Sequence, residues 1–345
     1  MTNPNENNQS NNPVERQIKQ SSLNNNDASL PKMDAMAHQM REAALEYKNI
    51  YMEFFHTVRS CLAGNINKDT IEQAVQKVMK AFAQDPYNGL LLYSYTTSQD
   101  NYLSAHIAND VILSIGFAVS LGLSDKDVMD IGLCAFGHDF GMSEHVNLFQ
   151  KTVKLTDEES SLIQQHPQKS AEIFKAFFPD RVINGILDVH EQVNGGGYPK
   201  RKLGVEISFL GKTAAICDAF EALTHPRKYR KAFSPYEAVK MIIKQKDVIF
   251  DAQILKKFLD FISIYPIGSL VYLNTGETAM VVGSNRGKPT RSIVRVLLNL
   301  KREVDRSGKT INLLEDQMLY IRGCVEPKEE GEILHFLKPR GDNEL

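Results

Sequence analysis

The sequence predicts a mainly α protein, with N-terminal helices, a helical bundle and a small C-terminal β module. Three observations predict it. From Asp34 to Ile264 apolar side chains recur at three- and four-residue steps, the period of helices with one buried face. Start and stop signals, among them Thr156-Asp157-Glu158-Glu159, Ser234-Pro235 and Gly122, cut that pattern into helix-length segments. After Pro266 the pattern changes to short β-branched runs. The 345 residues, 42 % of them hydrophobic, suffice for one large domain or two ordinary ones at about 100–200 residues each.

Residues 1–30 hold nine asparagines with interspersed Gln and Ser, a composition that buries too little apolar surface to order itself. They are expected to form a disordered tail. A first helix runs from Asp34 to about Leu62, with Met36, Met40, Ala43, Ala44 and Tyr47 on one face, and Gly64-Asn65 stops it. A second starts near Asp69 as N-cap, with Glu72 three residues on, and buries Ile71, Val75, Val78, Met79 and Phe82. Two tandem amphipathic helices fit either a homodimer surface or a subdomain packed on its own chain. A third spans about Asp100 to Leu121 and carries His106. A fourth opens at Asp125 and runs into Gly137-His138-Asp139. The helix capped by Thr156 leads to His166, and Pro167 begins another. A short helix from about Arg181 to Val189 ends at His190. The run Asn194-Gly195-Gly196-Gly197-Tyr198-Pro199 suits neither helix nor strand, so it is a loop. Helices over Phe209–Leu223, from Ser234-Pro235, and over Asp251–Ile264 complete the α part. Ser269–Asn274, Glu277–Val282 and Ser292–Asn299 read as strands, the first two joined by a Thr275-Gly276 turn. The module is basic between Arg286 and Lys309; charges that protect edge strands account for this as well as an anionic partner does.

Composition excludes several classes. A net charge of −2 calls for neither nucleic acid nor an anionic membrane. The four cysteines, Cys61, Cys134, Cys217 and Cys324, show no CxxC spacing, which argues against thiolate zinc and for reduced core residues of a cytoplasmic protein. No stretch is expected to cross a membrane, and the polar first residues do not form a secretory signal.

The chemistry lies in scattered oxygen and nitrogen donors. His106, His138-Asp139, His166, His190 and Asp218 fall one or one pair per helix, so a bundle can bring them to one point. Taken singly each has a plainer explanation. A lone histidine on a helix is most often a satisfied core residue, and Asp218, within Ala214-Ala215-Ile216-Cys217-Asp218-Ala219-Phe220, could be held by a salt bridge. Taken together they suit two divalent first-row metal ions that activate water against a phosphoester. Asp139 would bridge the ions. One ion would take His106, His138, Asp139 and Asp218; the other would take Asp139, His166 and His190. The catalytic pair would be His138 and Asp139. Arg227, Lys228, Arg230 and Lys231 crowd one short segment, which suits either a solvated face or a phosphate site.

The ordered set His106…His138-Asp139…His166-Pro167…His190-Glu191 through Gly195-Gly196-Gly197-Tyr198-Pro199, then Asp218-Ala219-Phe220-Glu221-Ala222-Leu223-Thr224 and Arg227-Lys228-Tyr229-Arg230, resembles the HD-GYP domain of the HD phosphohydrolase superfamily. The similarity runs from about Tyr51 to Val325. It implies an HD-superfamily helical bundle with a di-iron or di-manganese site that hydrolyses cyclic di-GMP to pGpG or GMP. It also implies that Tyr198, with Gly197, lines the substrate pocket and that Arg227 and Arg230 contact the dinucleotide. In some members this loop docks onto diguanylate cyclases (GGDEF proteins). Four departures bear on catalysis. Met142 stands where the family has a phosphate-contacting lysine, Val189 where it has a second adjacent histidine, and Asn194 and Glu221 where it has aspartates. Tyr102 stands where members with a third metal carry a glutamate. The alternative to catalysis is therefore a degenerate domain that binds cyclic di-GMP or a diguanylate cyclase without cleaving. The expected organisation is a tail over 1–30, a helical region over 31–97, the HD-GYP catalytic-type domain over 98–265, a β-rich module over 266–325 and a tail over 326–345.

Overall fold

The computed structural model describes residues 30–85, 87–95, 101–149, 151, 153, 155–228, 230–326, 329 and 333, with side chains from residue 42 onward except 146 and 149. The proposed tails over 1–30 and 326–345 lie almost entirely outside the described residues. The chain divides into two units, residues 1–42 and 43–345. The proposed divisions near residues 97 and 265 fall inside the second unit. In the first unit, residues 30–42 are the opening turns of helix α1 (Leu30–Leu62).

In the second unit α1 buries Ile50, Tyr51, Phe54, Phe55, Val58 and Cys61, one stripe of the helix. The expected face further up is half-buried at Ala43, Ala44 and Tyr47; the Met36 and Met40 side chains lie outside the described residues. Helix α2 (Lys68–Gln84) buries Ile71, Val75, Val78, Ala81 and Phe82. Its N-cap is Asn67, not Asp69. The Asn67 side chain accepts the Thr70 N–H at 2.9 Å, which leaves Asp69 in the first turn, where its charge meets the helix dipole. A Cβ on Gly116 would lie 2.8 Å from the Phe82 ring, and one on Gly132 would lie 2.7 Å from Val75. These two glycines let α2 sink against α3 (Tyr102–Ser120) and α4 (Asp125–Gly137).

Helix α3 is buried on almost every side, as an apolar-all-round helix in a protein core must be. Against the expectation of no such stretch, α3 is long and apolar enough to cross a membrane. It is the one such helix among the described residues, and 89 % of its apolar window is buried by the rest of the protein. After the short α5 (Val146–Phe149) come α6 (Asp157–Ile163), with the Thr156–Glu159 capping box in place, α7 (His166–Phe174) and α8 (Asp180–Asp188). Helices α9 (Phe209–Thr224), α10 (Pro235–Ile243) and α11 (Ala252–Ile262) are capped by Ser208, Ser234 and Asp251. Two aromatic clusters hold them. Phe117, Phe220, Phe258 and Phe261 join α3, α9 and α11. Phe136, Phe140, Phe174 and Phe178 lock the end of α4 onto α7, with Phe140 and Phe174 4.8 Å apart edge to face.

The C-terminal sheet is antiparallel in the order β4-β3-β2-β1-β5, from β1 (Leu270–Leu273), β2 (Thr278–Gly283), β3 (Ile293–Leu298), β4 (Thr310–Asn312) and β5 (Ile321–Cys324). Gly276, at φ +101°, makes the β1–β2 turn. The sheet is tied to the helices where Ser284 N–H donates to the Tyr87 carbonyl and Ile264 N–H to that of Pro289.

Phe82→Ala should empty the space that Gly116 leaves for the ring. The expected loss is about 3–5 kcal/mol of stability, read as a lowered urea midpoint.

Candidate metal centre

All six predicted donors meet in one buried place. His106 projects from the first turns of α3. His138 is the C-cap of α4, and Asp139 follows it into the 3-10 turn Phe140–His145. His166 is the first residue of α7, His190 follows the end of α8, and Asp218 lies in the middle of α9. Helix ends let the chain change direction, so adjacent elements can aim their termini at a common point.

Asp139 is the hub. Its Oδ1 lies 3.2 Å from Nε2 of His166 and 3.5 Å from Nε2 of both His138 and His190. Its Oδ2 is 3.0 Å from Nε2 of His106, which is 3.4 Å from Asp218 Oδ1. Asp218 reaches the far side too, 4.0 Å from His138 Nε2 and 4.0 Å from His190 Nδ1. Among these atoms Asp139 Oδ1 and Nε2 of His138, His166 and His190 are buried with no hydrogen bond of acceptable geometry. The tautomers explain this. Nδ1–H of His138 donates to the Ala135 carbonyl and Nδ1–H of His166 to that of Ile163, both at 2.8 Å. Each Nε2 is thereby left as a lone pair pointing inward. Buried lone pairs that converge on a carboxylate need a cation between them, and donors around one metal ion sit roughly 3 Å apart when bonds are about 2.1 Å. The residues therefore fit divalent metal. Three donor groups emerge: His106, His138 and Asp139; His138, His190 and Asp218; and Asp139, His166 and His190.

The electrostatics agree. Burial pushes the Asp139 carboxyl up, but the surrounding histidines outweigh it and hold it well below the carboxylate range. Burial pushes His190 down, keeping its ring neutral. Tyr198 stacks on His190, with ring centres 5.1 Å apart and 15° between planes, and meets His166 edge on. Burial, then the Asp139 and Asp218 charges, raise its phenol far above the ordinary value, so the O–H remains a donor.

Glycines fix two close approaches. A Cβ on Gly141 would lie 2.3 Å from the His166 carbonyl oxygen. One on Gly197 would lie 2.4 Å from Gln192 N and 2.5 Å from His190 O. Gly197 thus seats the loop on the backbone of His190, where Tyr198 N–H donates to the His190 carbonyl. A direct substrate contact at Gly197 is not needed to explain that residue.

The two arginines differ. The Arg227 guanidinium lies over the Tyr102 ring at 4.7 Å, and Tyr102 in turn stacks on His106. The Arg230 guanidinium donates to the carbonyls of Ala222, Leu223 and Lys231, closing the end of α9, and covers Phe233. That capping role explains its position without a dinucleotide. Val189 is a buried core side chain, 2 % exposed.

Sequence reasoning missed the groups behind the donors. Ser170 ties His138 O to Gly141 N. Glu191 holds the backbone N–H groups of Lys200 and Lys202, anchoring the loop. Asp110, fully buried, stands 3.8 Å from His138 Nδ1, its carboxyl pushed well up by burial. The Glu221 carboxylate accepts from His106 and Asn109, and its Oε1 lies 3.1 Å from His225 Nδ1. Burial alone would raise it, but attraction to the His106 and His225 rings outweighs burial and holds it at about 2.

The comparisons with known proteins agree with this geometry. Residues 99–254 match the HD domain model, and residues 270–332 match a KOW domain associated with the HD domain. Residues 99–254 therefore form an HD domain. It is of the HD-GYP type: the glycine loop and the Asp218-to-Arg230 stretch lie within the matched residues. The chain is 28 % identical over 287 residues to the cyclic di-GMP phosphodiesterase PA4108 of Pseudomonas aeruginosa, across 82 % of this chain and 69 % of that protein. It is 26 % identical over 204 residues to the 3'3'-cGAMP-specific phosphodiesterase 3 of Vibrio cholerae, across 56 % of this chain and 44 % of that one. It shares its fold with Bd1817, an HDG"Y"P protein from Bdellovibrio bacteriovorus (TM-score 0.52, 22 % identity, 61 % of this chain and 69 % of that one).

Gly141→Ala should force the His138-Asp139 turn away from the His166 carbonyl. The expected result is an unchanged far-UV circular dichroism spectrum with a large fall in bound metal, measured by elemental analysis of anaerobically purified protein.

Proposed function

We propose that this chain hydrolyses cyclic di-GMP to pGpG or GMP at two divalent iron or manganese ions held by His106, His138, Asp139, His166, His190 and Asp218. That it is a phosphodiesterase of the HD type follows from its family and its relatives. The substrate, the number of ions and the residue roles are the proposal. One observation carries it: the Nε2 atoms of His138, His166 and His190 converge on one oxygen of a buried carboxylate with no hydrogen bond among them, and backbone carbonyls at Nδ1 leave the first two as lone pairs.

Bound divalent cations supply a water of lowered pKa and neutralise charge on the phosphoryl group. The protein's own part is positional. Asp139, ionised at neutral pH, gives one oxygen to each side of the centre. His138 and His166 are held in the ligating tautomer by backbone carbonyls. The Tyr198 phenol walls the site beside His190 and offers a hydrogen-bond donor to a phosphate or base. Arg227, steered by Tyr102, brings positive charge to the His106 side. A bacterial cytoplasmic setting, and a diguanylate cyclase docked at the glycine loop, belong to the same proposal.

A second function, binding without turnover, is favoured by two positions. Val189 gives its side chain to the core beside His190, and Met142 follows Gly141 where a cation would meet the phosphate.

Protein purified without air and loaded with Mn²⁺ or Fe²⁺ should convert cyclic di-GMP to linear product on chromatography, and Asp139→Ala should abolish the conversion. Assaying 3'3'-cGAMP beside it decides substrate class. Metal-loaded wild type that binds the dinucleotide and returns it intact establishes the receptor function instead; Met142→Lys with Val189→His should then raise turnover.

A further inference from the structure

We propose that Glu221 is a positioning residue for the cation on the His106 side of the centre, acting through Nδ1 of His106 and itself held by Asn109 and His225. The inference deepens the metal-site proposal above and rests on it.

The geometry begins with helix spacing. Asp218 and Glu221 are one turn apart on α9, so their side chains leave the same face. They take opposite edges of one imidazole. Asp218 Oδ1 lies 3.4 Å from Nε2 of His106, and Glu221 Oε2 lies 2.5 Å from its Nδ1. His106 and Asn109 are likewise one turn apart on α3, and both meet the Glu221 carboxylate. Helix α3 thus presents a ligand and a support to a helix that presents a ligand and a support.

The network centres on the Glu221 carboxylate. Glu221 Oε2 accepts Nδ1–H of His106. Glu221 Oε1 accepts from Asn109 Nδ2 at 3.1 Å and lies 3.1 Å from His225 Nδ1. His225 Nδ1–H also reaches the Glu221 carbonyl at 2.8 Å, so His225 Nε2 is left to accept the second Asn109 amide hydrogen at 3.0 Å. Tyr95 stacks over His225 and closes the outer side. Glu221 is 2 % exposed and His225 4 %. Two hydrogen bonds, with His225 Nδ1 close by, hold the carboxylate against His106.

The consequence for His106 is a fixed tautomer and a fixed ring plane. Its proton stays on Nδ1, and Nε2 faces Asp139 Oδ2 and Asp218 Oδ1 at 3.0 and 3.4 Å. A carboxylate behind a ligating histidine also makes the ring a stronger donor. An aspartate here, one methylene shorter, would fall about 1.5 Å short of the ring nitrogen. A glutamine could still accept from His106. It would lack the charge, and its amide hydrogens would point at the Asn109 and His225 donors.

The test is calorimetric titration of Mn²⁺ into the metal-free full-length chain, with melting curves and circular dichroism on the same samples. Wild type should take up two ions. Glu221→Gln should weaken one of the two by about 10–100-fold and leave the other unchanged. His225→Gln, which removes a support but spares the Glu221–His106 contact, should weaken the same ion by less, and it decides the matter if Glu221→Gln does not fold. Unaltered affinities in both variants, with only a lowered melting temperature, overturn the proposal and leave Glu221 as a core-satisfying group. A folded wild type that takes up no Mn²⁺ overturns the metal-site proposal, and this one with it.

Discussion

Asp139 and Asp218 bring two carboxylates to within 3.4 Å of one imidazole nitrogen in the protein interior, and Asp139 also faces three further histidines. Two like charges about 4 Å apart repel by about 4 kcal/mol at an effective dielectric of 20. Such an arrangement persists only if positive charge is shared among the donors. The rest of the fold serves that constraint. The phenylalanine cluster joining α4 to α7 fixes the distance from His138-Asp139 to His166. The packing of α9 on α3 sets Asp218 against His106, and Gly197 sets the loop on the backbone that carries His190. Each of these contacts is apolar or main-chain, so it survives changes of protonation that would unsettle a site held by ion pairs alone.

What the sequence made legible follows from the range of the interactions. Helices announced themselves because burial of one face imposes a period on neighbouring residues, and caps such as Thr156 with Glu159 act within one turn. The convergence of the six side chains was legible because the ordered set falls one group per helix, which a bundle can gather at one point; any one of them alone reads as a core residue. Strands β4 and β5, of three and four residues, are too short to carry an alternation, and they pair only because β3 and β1 are already in place. The supporting groups were illegible for a related reason. Glu221 and Asn109 are 112 residues apart, and nothing near either in the chain says that they meet. Arg230 was open in the sequence to two readings, a solvated face or a phosphate site. A cluster of basic residues reads as a phosphate site, yet where a guanidinium points is decided by the nearest free carbonyls, here those that end α9.

The departures from the family pattern take on physical content in this setting. Val189 sits beside His190 but turns into the core, so a histidine there would have to displace packed apolar atoms or rotate the end of α8. The His166 side of the centre therefore draws on Asp139, His166 and His190, with Asp218 in reach of His190 at 4.0 Å. The His106 side is backed differently. Its histidine meets a carboxylate at each nitrogen, and both carboxylates, Asp218 and Glu221, come from α9. Donor supply and backing are thus unequal across the two halves. Retention of function then turns less on the count of ligands than on whether Asp139 stays oriented, which the Ser170 link between His138 and Gly141 and the glycine contact with His166 both enforce.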